Sequence, residues 1–476
     1  MDNKRLKKAI TGLFYPSLGD KMYTFYVGEE KIWVEQNTRL SINELVKNRA
    51  YPIQILQHSL GVDNSEEDYR NIPLEDYLSK DRRNLIKRLY SKSLKSFNFT
   101  GLEIPVPADH YVHAVGPIHA GIIEPGHFRF LVKGEEIQSL DIRLGFQKRG
   151  ILEKLKGLSP FEAFHYIQTV SGDSSIAYSL SLSRLYENAL NIEVEKHIQL
   201  SRLILLELER IAVHIGDLGA IAGDVAFYPL QAVGSTDRGI PLGITEALTG
   251  SRFGRNSLYP GEIRTKNKLS KLDLDKLVQR LVLLKKRISK HVRRAMKSTT
   301  FRERLQFCGT VHASTAYKKG FIGMLARSCG LRQDTRFSDY DYNLIKKLSL
   351  ELDRGSLKGD AWSRFLIRYL EFMNSTEWLI HVLPYWDITN SQNVPNIYNR
   401  QYDIESKFYY GIAEGWRGSV ITGFILDKNA KIKEAYIRDP SVLNWHGLEL
   451  AVKGENIGDF PLNNKSFNLS YVGVDL

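Results

Sequence analysis

Three long segments with apolar residues at three- and four-residue steps limit what this chain can fold into. They run over residues 162–190, 194–222 and 272–297. In the last segment the apolar side chains mark one helix face, made of Leu274, Leu277, Leu281, Leu284, Ile288 and Val292. Such spacing is typical of amphipathic helices that bury one stripe against other helices. With a fourth helical segment over 360–378, the pattern predicts a core of packed helices.

Short runs rich in β-branched and aromatic residues flank this helical region. They lie at 128–132, 137–144, 418–426 and 432–437 and predict small antiparallel sheets. Near the start, runs at 22–27 and 31–35 predict a hairpin, while a capping box at 41–44 and a basic amphipathic stretch at 81–94 predict helices. A proline-containing linker at 105–108 separates this region from the rest. We therefore expect an α+β chain, with a small α/β domain over 1–104 and a helical bundle with small β subdomains over 105–476.

Charge and composition restrict the class of protein. Lys and Arg number 66 against 54 Asp and Glu, which gives a formal net charge of +12. This charge favours contact with an acidic subunit, a lipid headgroup surface or a nucleic acid, and a solvated basic surface is the plain alternative. No stretch of about 18 apolar residues is present, which predicts no transmembrane helix. The basic start lacks an apolar stretch behind it, so secretion is not expected.

The chain has only two cysteines, Cys308 and Cys329. Two cysteines in a chain of this length indicate reduced core thiols in a cytoplasmic setting. P-loop, GxSxG and HExxH motifs are absent from the sequence, so the enzyme classes that depend on them have no support.

Several motifs follow one another in the second domain. They occupy residues 116–119, 124–130, 144–151, 207–219, 248–255, 359–364, 417–418 and 459–467. In this order they resemble the large-subunit superfamily shared by nickel–iron hydrogenases and the quinone-site subunit of respiratory complex I. The branch that the chain resembles is group 4, the membrane-bound hydrogenase-4 and formate hydrogenlyase type. In that branch a shortened complex I peripheral-arm-like domain can precede the large subunit, which fits residues 1–104.

The resemblance implies partners and a location. It implies a small iron–sulfur subunit that carries the iron–sulfur cluster, and antiporter-like membrane subunits, with no role for nucleic acid. The chain would then be a peripheral subunit on the cytoplasmic face of the inner (plasma) membrane. It would belong to an NADH-quinone oxidoreductase or hydrogenase-type complex that couples redox or proton events to ion transport. A non-catalytic scaffold subunit of such a complex is the alternative.

The four cysteine positions of the nickel–iron site hold other residues in this chain. They align with Ser171, Ser174, Ser470 and Gly473. Thiolates suit nickel and low-spin iron, whereas serine hydroxyls are neutral, hard groups and glycine offers no side-chain ligand. No metal, no directly bound cofactor and no hydrogenase activity of its own are therefore expected. The resemblance makes Arg417 the signature arginine of the former metal pocket.

Two further positions depart from the family pattern. Trp416 stands where proline often precedes the signature arginine, and Lys148 stands where histidine is common. The quinone-site tyrosine of complex I falls on Thr169 or Gly172, and its histidine has no clear counterpart, so quinone binding stays open.

Three residues are candidates for handling protons, namely Glu124, Asp224 and His214. His214 and Asp217 lie three residues apart and should share a helix face. Buried carboxylates have raised pKa values and can relay protons near neutrality. The alternative is that these are hydrogen-bonded core groups. Four histidines at 110, 113, 119 and 127 also raise a metal-site hypothesis, although no matching second ligand set accompanies them.

Overall fold

The computed structural model describes residues 23–27, 30–34, 106–107, 109–119, 124–265, 269–331, 333–337, 357–386 and 402–476. In the described part, most strands lie toward the two ends of the chain, and one short pair lies between them. The strands are β1 (Tyr23–Val27), β2 (Glu30–Val34), β3 (Tyr111–Val115), β4 (His127–Lys133), β5 (Glu136–Arg143), β6 (Leu258–Tyr259), β7 (Glu262–Ile263), β8 (Phe408–Glu414), β9 (Ser419–Leu426) and β10 (Ile432–Arg438).

Most helices lie between β5 and β8 in chain order, and three follow β10. The helices are α1 (Ile151–Leu155), α2 (Pro160–Ile167), α3 (Ser175–Leu190), α4 (Lys196–Asp224), α5 (Tyr228–Asp237), α6 (Gly239–Thr249), α7 (Lys271–Lys297), α8 (Thr299–Leu305), α9 (Ala313–Lys319), α10 (Gly323–Ser328), α11 (Ala361–Val382), α12 (Ser441–Ala451), α13 (Phe460–Phe467) and α14 (Val472–Asp475).

Helix α4 is the centre of the bundle. It packs against α11, α5 and α6, while α7 lies across α11 and α5. At the crossing of α4 and α5, Gly219 faces Gly234, and a Cβ at Gly219 would lie 2.9 Å from the Gly234 Cα. Only glycine allows the two backbones to approach this closely. The apolar stripe of α7, predicted from its spacing, is buried in this core.

Each three-stranded sheet covers a different side of the bundle. The sheet β10-β9-β8 is antiparallel and packs against α3. The sheet β3-β4-β5, also antiparallel, builds a second core with Trp445 of α12 and Phe460 of α13. The chain end, α14, joins the two regions.

Most predicted elements are confirmed. Helices α4, α7 and α11 and strands β4, β5, β9 and β10 lie where the periodicity placed them, and β1 pairs with β2 as an antiparallel hairpin. The structure is a mixed α and β fold, as expected. The capping box at 41–44, the helix at 81–94 and the domain boundary at 104/105 lie outside the described residues.

The prediction of one continuous helix over 162–190 is wrong. The chain leaves the helix after Ile167 and re-enters it at Ser175. In the intervening turn, Ser171 and Ser174 donate to the Asp173 carboxylate, and such local side-chain bonds compete with helical hydrogen bonding.

No helix among these residues combines the length and the apolar character needed to cross a bilayer.

Candidate functional site

The two segments that would carry metal ligands meet in space. The turn between α2 and α3 brings Ser171 beside Ser470, which lies between α13 and α14, with 3.3 Å between their hydroxyl oxygens. The backbone N–H of Gly473 donates to the Ser470 hydroxyl at 3.0 Å. Ser171, Ser470 and Gly473 are buried, whereas Gly172 at the tip of the turn is exposed and Asp173 is partly exposed. Ser171, Ser470 and Gly473 therefore lie in one hydrogen-bonded cluster.

An ion pair stands beside these serines. The Arg417 guanidinium donates to both oxygens of the Asp173 carboxylate, each at 2.8 Å, and the Ser171 hydroxyl donates to the same carboxylate at 2.8 Å. Arg417 also donates through Nε to the Asn468 carbonyl and lies 3.9 Å from the centroid of the Trp416 ring. The signature arginine thus has a fixed internal partner, which the sequence reasoning did not identify.

The pKa values at this pair follow from two opposing effects. Burial raises the pKa of Asp173, but the Arg417 charge outweighs it and holds that pKa below its ordinary value. Burial likewise lowers the pKa of Arg417, and Asp173 reverses the shift so that the pKa rises. Both groups are therefore charged at neutral pH, and the pair is net neutral.

The geometry at the fourth ligand position excludes a side chain. A Cβ at Gly473 would lie 2.5 Å from Asp439 Oδ2 and 2.9 Å from Ser470 Oγ. Asp439 cannot easily move, because Tyr178 donates to it at 2.6 Å and the Ser441 N–H at 2.7 Å. Hard hydroxyls, a neutralised carboxylate and a filled fourth position do not fit a nickel–iron centre.

This crowding gives a stability prediction. We expect Gly473→Ala to lower the free energy of unfolding by about 1–3 kcal/mol, because the added methyl group must displace a buried carboxylate. Gly172→Ala is the matched control, since a Cβ there meets only Arg255 at 3.9 Å. Denaturant unfolding of both variants makes the comparison. Equal stabilities would show that the Asp439 side of the cluster is loosely packed.

A second, larger polar cluster is buried beneath the first. Glu371 of α11 accepts from Arg327 at 2.7 Å, from His214 at 2.9 Å and from Arg210 at 3.2 Å. Further ion pairs extend the cluster; its other members are Glu207, Asp334, Arg336 and Glu414. Each of these side chains is at most 6 % exposed, so their charges interact without screening by water. The sequence analysis found only His214 of this group.

His214 and Asp217 do share one face of α4, as predicted. His214 bonds to Glu371 and Asp217 accepts from Arg368 at 2.8 Å, and both partners belong to α11. Burial lowers the pKa of His214, and the bond to Glu371 only partly opposes it. Its ring packs at 6.2 Å from the Trp416 ring, whose N–H donates to the Asp173 carbonyl. Trp416 thereby stands between the two clusters.

Glu124 is partly buried and lies against the C-terminal residues of the chain. Its carboxylate accepts from the backbone N–H groups of Tyr471 and Val472, each at 3.2 Å. Asp475, in the same short helix, accepts from the N–H groups of Gly145 and Gln147, and burial raises its pKa to about 6. Glu124 therefore contacts the backbone that directly follows Ser470.

Asp224 is placed apart from the other two candidates. It ends α4, ten residues after His214, which corresponds to about 15 Å along the helix. Its side chain is exposed in this chain, and the protein around it raises its pKa by desolvation. The structure thus brings Glu124 to the serine cluster, links His214 to it through Trp416, and leaves Asp224 at the surface.

Glu209 is a site residue that the sequence reasoning missed. It accepts from the N–H of Ile176 at 2.7 Å and from that of Ala177 at 3.2 Å, at the start of α3. Burial raises its pKa to about 8. With Asp173 it lines a small pocket whose wall includes Arg238 and Arg252. The only signal in the sequence is a glutamate on the apolar stripe of a long helix.

The remaining candidates lie outside the cluster. Lys148 is exposed and pairs with Glu153, and Thr169 bonds to its own turn. Within the described ranges, no three His, Cys, Asp or Glu side chains are arranged to hold a metal ion, so the four histidines form no such group. Cys308 and Cys329 are buried, and burial raises the pKa of these thiols to about 12 and about 11.

The mixed helical and sheet fold is of the type that the resemblance to the large subunits of hydrogenases and complex I implies. Comparisons with known proteins agree. Residues 224–394 match the family described as respiratory-chain NADH dehydrogenase, 49 kDa subunit. Formate hydrogenlyase subunit 5 of Escherichia coli is 28% identical over 76% of this chain, and hydrogenase-4 component G of the same organism is 29% identical over 77%.

The chain is thus similar in sequence to the complex I 49 kDa subunit and to the large subunits of membrane-bound hydrogenases. It spans 62% of the length of both Escherichia coli relatives. Among solved structures, a chain of the membrane-bound sulfane sulfur reductase, an archaeal respiratory membrane complex, matches with a TM-score of 0.69 at 21% identity. That match covers 78% of this chain and 100% of the other, and it supports the fold.

Proposed function

We propose that this chain is the peripheral-arm large subunit of a membrane-bound, hydrogenase-related or complex I-like oxidoreductase, and that it works without a nickel–iron centre. The relatives named above are subunits of formate hydrogenlyase, of hydrogenase-4 and of respiratory NADH dehydrogenase. The observation that carries the proposal is the cluster of Ser171, Ser470 and Gly473 with the Asp173–Arg417 pair beside it. These groups form hydrogen bonds to one another. The fold is therefore retained, while the residues at the former ligand positions serve other chemistry.

The partners and the location follow from the same relationship. We expect a small iron–sulfur subunit beside the serine cluster, antiporter-like membrane subunits, and a peripheral position on the cytoplasmic face of the membrane. Residues 1–104 would form the shortened peripheral-arm-like domain. The subunit would hold a cavity in which redox or proton events are coupled to ion transport, and a quinone is one candidate ligand of this cavity.

Protons would be handled by this chain's own side chains. Glu124 touches the backbone that follows Ser470, and Asp475 beside it has a pKa of about 6, close to the working range of a proton relay. Glu209, with a pKa of about 8, lies behind Asp173. These carboxyl groups surround the serine cluster from two sides, whereas Asp224 would act only where a partner subunit covers it.

The purified complex tests the proposal directly. We expect no stoichiometric nickel by elemental analysis and no hydrogen turnover, while the large subunit remains assembled with its partners. Stoichiometric nickel in the complex would overturn the proposal, because the hydroxyl and glycine positions would then have to be ligands.

A non-catalytic scaffold subunit is the second candidate, favoured by the extent of internal hydrogen bonding at the former ligand positions. Glu124→Gln and Asp224→Asn separate the two functions, measured as ion transport by the intact complex in vesicles. A proton-handling role predicts lower transport with unchanged subunit composition. Unchanged transport in both variants would favour the scaffold.

A further inference from the structure

One face of α7 is strongly cationic and points away from the bundle. Of the residues on this helix, nine basic side chains are exposed: Lys271, Lys276, Arg280, Lys286, Arg287, Lys290, Arg293, Arg294 and Lys297. Asp275 is the one carboxylate of the helix in the same exposure class. The opposite face is the buried apolar stripe, so the helix cannot turn its cations inward. We refer to these nine residues as the α7 basic face.

Few of these charges are compensated within the described part of the chain. There, Lys276 pairs with Asp273 at 3.5 Å, and Arg287 pairs with Asp237 at 3.1 Å. Lys285, at the side of the face, pairs with Glu377 of α11. The remaining cations have no carboxylate within ion-pair distance among the described residues, and a dense array of like charges favours an anionic partner.

Exposed aliphatic side chains lie within the same face. Leu272 and Leu283 are 64% and 66% exposed, and they stand eleven residues apart, which is three helical turns. Lys276, Lys290 and Lys297 continue this line at helical spacing. Helices of 27 residues are about 40 Å long, so the face presents cations and two leucines over a long, narrow surface.

We propose that the α7 basic face adsorbs to an anionic lipid bilayer surface. Protein interfaces are depleted in lysine, whereas clustered Lys and Arg with interspersed aliphatic groups are typical of surfaces that contact acidic headgroups. The apolar stripe of α7 stays in the protein core, so the helix lies on the headgroups and does not insert. This contact does not depend on the proposed function, although it would orient a peripheral subunit on its membrane.

Vesicle sedimentation tests the contact with the full chain. We expect binding to vesicles that contain phosphatidylglycerol, no binding to phosphatidylcholine alone, and loss of binding as salt is raised. In the triple variant Lys286→Glu, Lys290→Glu and Arg294→Glu, the affinity for these anionic vesicles should fall by a factor of about ten or more, because three cations near the surface become anions. Glutamate keeps the helix propensity close to that of lysine and arginine, so α7 should stay folded.

A matched control keeps the total charge equal. Lys154→Glu, Lys156→Glu and Lys453→Glu change three exposed lysines outside α7 and should leave vesicle binding close to that of the parent chain. Equal loss in both triple variants would overturn the proposal, since net charge alone would then explain binding. Absence of binding to anionic vesicles would also overturn it, as would tighter α7-dependent binding to duplex DNA or to an acidic protein.

Discussion

Replacing Glu371 with glutamine should lower the free energy of unfolding by about 3–5 kcal/mol, because the change removes the buried carboxylate that Arg327 and Arg210 share. Glu371 bonds to Arg327, Arg210 and His214, and both arginines are buried with it. Opposing effects set its pKa: burial raises it, and the surrounding cations hold it well below its ordinary value. The carboxylate is therefore charged at neutral pH.

Glu377→Gln is the control, on the same helix and six residues further on. Glu377 is 51% exposed and pairs with Lys285 at the surface, where an ion pair contributes less than about 1 kcal/mol. Denaturant unfolding of both variants at neutral pH gives the comparison. If Glu371→Gln cost no more than the control, the cluster would have to be hydrated or rearranged in solution.

Glu371 is also connected to the serine cluster through its partner Arg210. Arg210 donates to the carbonyl oxygens of Glu414 and Gly415, which precede Trp416 and Arg417. The cluster thereby fixes the backbone segment that delivers Arg417 to Asp173. We infer that the buried ion pairs hold the geometry of the serine cluster, so a variant at Glu371 should disturb both.

Local periodicity explains which parts of the fold the sequence could predict. Helix α7 was predicted over 272–297 and spans Lys271–Lys297, because its apolar stripe, polar face and length are all local properties. The turn at 168–174 was missed, since apolar residues continue at helical spacing on both sides of it. Its cause is the hydrogen bonding of Ser171 and Ser174 to Asp173, which periodicity does not record.

Pairing between residues far apart in the chain explains which parts of the site could not be predicted from the sequence. The four ligand positions and Arg417 came from motif order, and the structure brings them together. Asp173, by contrast, pairs with Arg417 across 244 residues, and Arg336 pairs with Glu207 across 129. No local signal reports which charged residues on buried stripes will meet, so the ion cluster and Glu209 emerge only from the three-dimensional packing.

The free energy of unfolding should fall as the pH rises from about 4.5 to about 8, because Glu209 keeps its proton in the folded chain over this range. Burial raises the pKa of Glu209 to about 8 in the folded chain, while the unfolded chain releases this proton near the ordinary value of about 4.5. Between these two values the folded state binds more protons than the unfolded state, so the free energy of unfolding decreases with pH. The stabilisation is complete below the lower value, and its loss through pH 8 is on the order of 5 kcal/mol.

Glu209→Gln should remove this dependence. At pH 5 the variant should be less stable than the parent chain by about 1–2 kcal/mol. The Ile176 and Ala177 N–H groups donate to different oxygens of Glu209, and glutamine replaces one of these oxygens with an NH2 donor. At pH 9 the order should reverse, since the amide never ionises. The difference between the two chains isolates Glu209 from other groups that titrate in this range, and Glu246→Gln, at an exposed position of α6, is the control. Parallel stability curves would mean that water reaches Glu209 through the pocket and that its proton is not held beside Asp173.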